Sequence, residues 1–510
     1  MNKKTSVKKI NPRILIVTPE ITYLPSGMGN VANYLRAKAG GLADVSACLV
    51  SALFEHGADV HVALPHYRRI FNIDVSHFLN HELRIYKKLL PDSRIHLAQD
   101  RVFFYRDEVY DYNYMESRKI ALAFQREVIN NIIPQVNPDI VHCNDWMTGL
   151  IPAACRRINI PCLTTIHNIH TQEIPLGEIE ESGIDAGEFW KYLYYTRYPP
   201  YNLEESRWNN PVDLLASAIF ASHFVNTVSP TFLREICEGK HNFIPPHIRN
   251  EISNKAKAGC AFGILNAPGP EFNPETDKLI EFCYSPESHV DGKRQNKVRL
   301  QQKLGLIVDP DAPLLFWPSR LDPAQKGCQL LAEIMYGVVS AYWHKHLQIV
   351  IVANGIFQKH FHDIVRLHDF YERVAVCDFD ERLSHMGYAS ADFLLMPSLF
   401  EPCGLPQMIG VIYGALPIVH DTGGLHDTVS HLSVSKHTGN GFVFKVYDSN
   451  GLRWAIDEAM KFYGLPAHIK AREITRIMKE GKKNFTYSVT ARRYMELYEA
   501  MLKRPLINLF

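Results

Sequence analysis

Short runs of β-branched and other apolar residues alternate with longer amphipathic stretches along the whole chain, the pattern of parallel strands joined by helices. In the first half the runs predict strands over 13–18, 59–64, 140–142, 162–166 and 224–228, with helices between them that include 42–56 and 117–133. A second series predicts strands over 314–317, 348–352, 374–377, 393–396 and 416–419. Between the two, the nine residues 266–274 contain three prolines and a glycine, which breaks helix and strand alike and reads as a linker. Near the chain end Tyr494, Leu497, Tyr498 and Met501 recur at helical spacing, so 488–502 is expected to dock as a helix. The fold class is therefore α/β, with two doubly wound parallel sheets whose ligands bind where strand ends meet the following loops.

Length fits that division. A chain of 510 residues exceeds what one core usually fills, so two domains with a cleft between them are expected. Hydrophobic residues make up 46%, charged residues 21%, and the net charge is +1, which suits a globular enzyme and excludes a broad basic field for nucleic acid. Any anion must be caught by a few placed cations. The ten cysteines are scattered without a CxxC pair, which argues against a disulfide framework or a zinc module and for a reducing compartment. Lys3, Lys4, Lys8 and Lys9 make the N-terminus basic, yet the apolar run 14–17 is too short for a signal-peptide core, and no run of 18 apolar residues occurs. Cytoplasm is the expected location, and no membrane or nucleic-acid partner is expected.

Candidate chemistry clusters after predicted strands. Arg320 and Lys326 follow the run 314–317, and a planar guanidinium with an ammonium suits a diphosphate whose charge grows as it departs. Glu401 follows the run 393–396, and Gly404 is expected to open a helix whose first amides face an anion or sugar hydroxyls. Glu401 alone would equally serve as a helix cap. Thr422, Gly423 and Gly424 repeat the arrangement after 416–419, a second amide nest. In the first half Lys38, Gly40, Gly41 and Asp44 precede a helix, with glycines that let a ligand approach the backbone. Asp145 and His167 each follow a short buried-looking strand. The upstream Gly27-Met28-Gly29-Asn30-Val31-Ala32 matches a dinucleotide fingerprint, but it starts nine residues past its strand, where that fingerprint needs a tight turn. It is expected to be a mobile loop. No HExxH and no GxSxG occurs, so neither a metal site nor a serine hydrolase is expected.

Together, KAGGLADV, HCNDWMTG, TTIHN, TVSPTFLREI, GILN, PSRLDPAQKG, EPCGLPQ and DTGGLHDTV resemble, in order, the bacterial glycogen synthases and plant starch synthases, family 5 of the glycosyltransferases. The resemblance implies the GT-B fold, with two Rossmann-like domains facing across a deep cleft. These are an acceptor domain over 1–265, a nucleotide-sugar domain over 275–485, and a C-terminal helix in 486–510 that crosses back to the first. It implies transfer of glucose from ADP-glucose to the nonreducing 4-hydroxyl of an α-1,4-glucan or maltooligosaccharide, with anomeric configuration retained and no metal or other cofactor. Alternatives are UDP-glucose as donor, a different acceptor, or a weakened homologue that binds glucan or nucleotide sugar in a regulatory role. On the matching motifs, Arg320 and Lys326 resemble the pair that grips the diphosphate. Lys38, Gly41 and Asp44 resemble the glycine-loop donor contacts, and Asp145, His167 and Asn266 the residues around the glucose. Glu401, Cys403, Gly404 and Leu405 match the motif on the glucosyl hydroxyls.

The chain also departs from that pattern. Phe379 stands where the family has a tyrosine that stacks on adenine, whereas Ile409, where a related family of GT-B transferases carries a second glutamate, favours the synthase group over those relatives. Residues 25–37 are additional, and RLDPAQKG is one residue longer than the usual RLxxQKG. Pro406 replaces a threonine, Asn266-Ala267-Pro268 replaces NGxD, and Ala353-Asn354-Gly355 replaces a glycine-rich turn. Leu399 and Asp421 replace arginines. Each departure touches donor binding.

Overall fold

A computed structural model describes residues 11–71, 93–111 and 113–507. The basic positions Lys3, Lys4, Lys8 and Lys9 lie outside them. The chain divides into two compact units. The first comprises Met1–Val228, Leu233–Asn266 and Tyr487–Phe510, and the second Ser229–Phe232 and Ala267–Thr486.

The first unit carries strands β1 (Arg13–Val17), β2 (Asp59–Pro65), β3 (Ile95–Ala98), β4 (Ile140–Asn144) and β5 (Cys162–Thr165). The two-residue strands β6 (Glu173–Ile174) and β7 (Val212–Asp213) form a separate antiparallel pair, after which β8 (Phe224–Asn226) and β9 (Ala261–Phe262) rejoin the sheet. That seven-stranded parallel sheet has the order β3-β2-β1-β4-β5-β8-β9. Ile14, Leu15, Ile16 and Val17 are all fully buried, as expected of a strand covered on both faces, where continuous apolar runs replace alternation. The terminal helix Tyr487–Leu502 is tied to this sheet through polar tips on apolar rings. The Tyr498 hydroxyl is hydrogen-bonded to His142 Nδ1 at 2.7 Å, the Tyr494 hydroxyl accepts from Asn226 Nδ2 at 2.7 Å, and Thr490 Oγ1 donates to the Leu265 carbonyl at 2.9 Å.

The second unit holds β10 (Leu314–Trp317), β11 (Gln348–Val352), β12 (Val374–Cys377), β13 (Phe393–Met396), β14 (Leu416–His420) and β15 (Phe442–Phe444). Its six strands run parallel in the order β12-β11-β10-β13-β14-β15. Side chains alternate between two apolar layers. Leu315, Trp317, Ile349 and Ile351 enter one layer, and Leu314, Phe316, Val350 and Val352 the other. Ser229–Phe232 belongs to this unit because Ser229 Oγ and Thr231 Oγ1 donate to the Asp427 carboxylate at 2.5 and 2.6 Å. The chain is pinned within and just past the proline-rich stretch. The Phe272 ring stacks on His385 with centroids 4.6 Å apart, and Asp277 Oδ2 bonds both His385 Nδ1 and the Tyr413 hydroxyl.

Several expectations need correction. The strands β3 and β15 lie outside the expected runs, and β9 and the pair β6–β7 are two residues each, too short to display a period. The helix expected over 117–133 begins earlier, at Tyr114, because Asn113 Oδ1 accepts from the amide of Met115 at 2.9 Å and caps it. It gives way to a π-turn at Val128–Ile132. The segment expected to be a mobile loop is two packed 3₁₀ turns, Ser26–Met28 and Asn30–Tyr34. Leu24, Met28, Val31 and Leu35 are buried along it, and a backbone bridge between Ile21 and Ala37 closes its base.

Candidate active site

Each sheet reverses its strand order once, in the first unit between β1 and β4 and in the second between β10 and β13. A crevice opens at such a switch point because the loops leaving the two strands turn to opposite faces. In each unit most of the candidate residues lie on the loops beside that point.

In the second unit the β10 loop carries Arg320 and Lys326, and the β13 loop carries Glu401. Asp322 coils the first loop into one turn, accepting from the Ala324 amide through Oδ1 and from the Lys326 amide through its carbonyl at 2.8 Å. The additional residue of RLDPAQKG lies within a loop that contains this turn. The loops are stitched together by the Leu399 amide donating to the Gln325 carbonyl at 2.8 Å. Lys326 Nζ then sits 2.6 Å from Glu401 Oε2, with both side chains about nine-tenths buried, and Ser398 Oγ donates to the same oxygen at 3.2 Å. Arg320, by contrast, is exposed and makes no hydrogen bond or ion pair among the described residues.

The β14 loop closes over the same backbone. The Gly424 amide donates to the Glu401 carbonyl at 2.9 Å. Gly423 has φ +46°, and a side chain on it would strike that carbonyl, while one on Gly424 would strike the Cys403 carbonyl. Only glycine permits this approach. Thr422 is the N-cap residue of the short helix Gly423–Thr428 and is buried. Gly404 does not itself open the helix after Glu401. That helix is Pro406–Tyr413, with Leu405 at its N-cap and Pro406 at its first position, where a missing N–H costs no intrahelical bond. Gln407 Nε2 ties the turn down by donating to the Cys403 and Gly404 carbonyls and to Thr428 Oγ1. Phe379, past β12, has a ring 56% exposed, and its amide donates to Asn354 Oδ1 at 2.8 Å. Asp421, where an arginine was expected from the resemblance, bonds His426 Nδ1 at 2.6 Å.

In the first unit the glycine loop is held by a residue that sequence reasoning missed. Glu20, just past β1, accepts from the amides of Ala39 and Gly40 at 2.6 and 3.0 Å through Oε2 and from the Tyr110 hydroxyl through Oε1. Burial pushes its carboxyl above the usual range, although those donors pull the other way. Lys38 Nζ pairs with Asp44 Oδ2 at 2.9 Å, and Thr22 Oγ1 donates to the other Asp44 oxygen. Gly40 is the N-cap residue and Gly41 the first residue of the helix Gly41–Glu55.

Asp145, past β4, is buried with φ 55° and ψ −174°, a backbone region that a residue with a side chain rarely occupies and that concentrates at functional sites. Its Oδ1 accepts from the His167 amide at 2.7 Å and its Oδ2 from Asn168 Nδ2 at 3.1 Å. Burial raises its carboxyl to about 7, against those amide bonds. His167 Nε2 donates to Asn144 Oδ1 at 3.1 Å, and burial lowers the imidazole to about 3, so the ring is neutral. Asn266 is also buried, and its Oδ1 has no hydrogen-bond partner among the described residues. Among the described residues no group of three or more His, Cys, Asp or Glu is placed to hold a metal ion.

These two clusters combine fixed cations, amide nests and buried carboxylates. Residues 13–244 match the family described as "Starch synthase catalytic domain", and residues 312–461 match "Glycosyl transferases group 1". Glycogen synthase of Clostridium perfringens is 31% identical, covering 91% of this chain and 96% of that one, and glycogen synthase of Geobacillus thermodenitrificans is 30% identical over 92% and 96%. The chain belongs to the glycogen and starch synthase family. It is a glycosyltransferase of that type. Among solved structures, the catalytic domain of starch synthase IV from Arabidopsis thaliana, described as bound to ADP and acarbose, superposes with a TM-score of 0.76 at 23% identity. It covers 97% of this chain and all of that one, so this family member has the GT-B fold.

Proposed function

We propose that this glucan-elongating glycosyltransferase takes glucose from ADP-glucose and adds it, with retention, to the nonreducing 4-hydroxyl of an α-1,4-glucan in the cytoplasm. The observation that carries the donor half is the arrangement at the second switch point. A buried Lys326–Glu401 pair lies there on the adjoining loop ends, with the exposed Arg320 on the same loop as Lys326. Arg320 and Lys326 stabilise the departing diphosphate, and Glu401, Cys403, Gly404 and Leu405 hold the glucosyl hydroxyls. Phe379 supplies the ring for adenine, and Thr422, Gly423 and Gly424 form the tight turn that backs the Glu401 and Cys403 backbone beside the donor. The Arabidopsis enzyme described as bound to ADP supports that choice of nucleotide.

In the first domain, Asp145, His167 and Asn266 surround the glucose, while Lys38, Gly40, Gly41 and Asp44 form the glycine loop over the donor. The bond from the anomeric carbon to the diphosphate oxygen breaks as a bond from the acceptor 4-oxygen forms on the same face. The acceptor proton passes to a diphosphate oxygen. No side chain acts as covalent nucleophile.

The test is incubation of the purified protein with maltooligosaccharide and either ADP-glucose or UDP-glucose, following chain growth and nucleoside diphosphate release. Growth with ADP-glucose is expected. Growth with UDP-glucose alone reassigns the donor, release without growth reassigns the acceptor, and ligand binding without turnover assigns a regulatory role.

A further inference from the structure

Three strands of the first unit's parallel sheet each carry one buried polar side chain against the terminal helix Tyr487–Leu502. They are His142 from β4, Thr165 from β5 and Asn226 from β8. His142 is hydrogen-bonded through both ring nitrogens, Nδ1 to the Tyr498 hydroxyl and Nε2 to Thr165 Oγ1, each at 2.7 Å. Burial, with His167 nearby, lowers its imidazole to about 3, so the ring is neutral, and one nitrogen donates while the other accepts. Asn226 is bonded at both ends of its amide, with Nδ2 donating to the Tyr494 hydroxyl at 2.7 Å and Oδ1 accepting from the Ile264 amide at 2.6 Å. The Tyr494 hydroxyl lies 3.4 Å from Thr165 Oγ1, which joins the two halves into one network.

The backbones of the same residues hold the loops that carry Asp145 and His167. The Asp145 amide donates to the Thr165 carbonyl at 3.0 Å, and the Ile166 amide, one residue before His167, donates to the Asn226 carbonyl at 2.8 Å. Asn144, two residues past His142 on β4, accepts from His167 Nε2. Asp145 needs such support, because a backbone at φ 55° and ψ −174° persists only where its surroundings over-determine it. A buried polar network does so while every member is satisfied, and loses that hold when one partner is removed. We infer that Tyr498 and Tyr494 are positioning residues for glucosyl transfer, which act from the terminal helix through His142, Thr165 and Asn226 to fix the β4 and β5 loops under Asp145 and His167. This role rests on the reading that Asp145 and His167 surround the glucose.

The experiment uses the full chain, with steady-state kinetics on ADP-glucose and maltotriose beside substrate-free amide hydrogen exchange read by mass spectrometry. Tyr498→Phe, Tyr494→Phe and Thr165→Val each delete one hydroxyl and are expected to lower kcat about tenfold with both KM values unchanged. Each should also speed exchange over the β4 and β5 loops about tenfold while β1 and β2 exchange as in the parent. Thr165→Ser, which keeps the hydroxyl, should match the parent on both readouts. Parental kcat in all three deletions overturns the role, as does a raised KM with kcat preserved, or a loss shared by Thr165→Ser. Exchange that quickens in β1 and β2 as much as in the loops also overturns it, since that marks a general loss of stability. If the parent transfers no glucose but the deletions free the two loops alone, the bracing stands and the reading of Asp145 and His167 fails. If it elongates glucan while the loops ignore all three deletions, only the bracing fails.

Discussion

The two switch points solve the placement of charge in opposite ways. In the second unit the charges are present and paired, with Lys326 and Glu401 2.6 Å apart and Arg320 exposed without a partner among the described residues. In the first unit burial decides protonation. Asp145 is pushed up to about 7, His167 is held neutral near 3, and Glu20 is raised while it occupies the amides of the glycine loop. On the proposed function, a group leaving as a diphosphate calls for full positive charge, whereas a reacting carbon that gains and loses charge within one step calls for a group poised near its ionisation point, as Asp145 is. Under that proposal, substitutions in the two units should fail differently.

The largest effect is expected from Glu401→Ala. It leaves the buried Lys326 ammonium without its carboxylate, so turnover should fall about a hundredfold or more and the fold should lose about 3 kcal/mol or more, read as a lowered denaturation midpoint. A variant with full stability would mean that the pair is not closed in solution. Lys326→Ala should lower turnover at least tenfold, a loss of roughly 1.4 kcal/mol in transition-state stabilisation. Unchanged turnover would remove Lys326 from the leaving-group site and erase the contrast between the units.

How far the chain could be read in advance follows the same divide. The strands β10 to β13 were legible to the residue because their apolar runs are continuous, and the loops after β10, β13 and β14 announced themselves by glycine and charge at short spacing. Glu20 was not legible. Its partners Ala39 and Gly40 lie nineteen and twenty residues later, and no local pattern links a carboxylate to amides across an intervening segment. The stretch 24–35 did carry a signal in Leu24, Met28, Val31 and Leu35, apolar positions three to four apart that are buried in the fold. Reading 27–32 as mobile weighed its distance from the preceding strand and missed this spacing. Asn144, which orients His167, and Ser398, which holds Glu401, escaped for the same reason as Glu20, since a supporting residue is recognised by what it touches.

A smaller effect, of a different kind, is expected in the first unit. With its carboxyl raised from 3.8 to about 7 by burial, Asp145 is mostly protonated at pH 6 and mostly anionic at pH 8. If the anion favours the positive charge developing on the anomeric carbon, kcat/KM rises through about pH 7. Asp145→Asn should abolish that limb and cost about tenfold at pH 8 but much less at pH 6. The sign for stability is the reverse. The folded state binds the proton more tightly than the unfolded chain, so stability falls as pH rises from near 4 to about 7, and the asparagine variant should lack that slope. A pH-independent loss of activity would mean that Asp145 serves only to hold the His167 and Asn168 amides.

The smallest effect is expected at Phe379, which belongs to neither electrostatic scheme. Its ring is 56% exposed and its backbone, not its side chain, is held by Asn354, so Phe379→Ala should leave stability nearly unchanged. Stacking on a base is worth about 0.5–1.5 kcal/mol beyond area burial, which corresponds to a rise in KM for ADP-glucose of roughly two- to tenfold with kcat preserved. Phe379→Tyr should restore the parent KM, because stacking needs the ring alone. The split matters more than its size. A drop in kcat instead would place the ring's contribution in the transition state, and the second unit would then align its donor through adenine as well as through the Lys326–Glu401 pair.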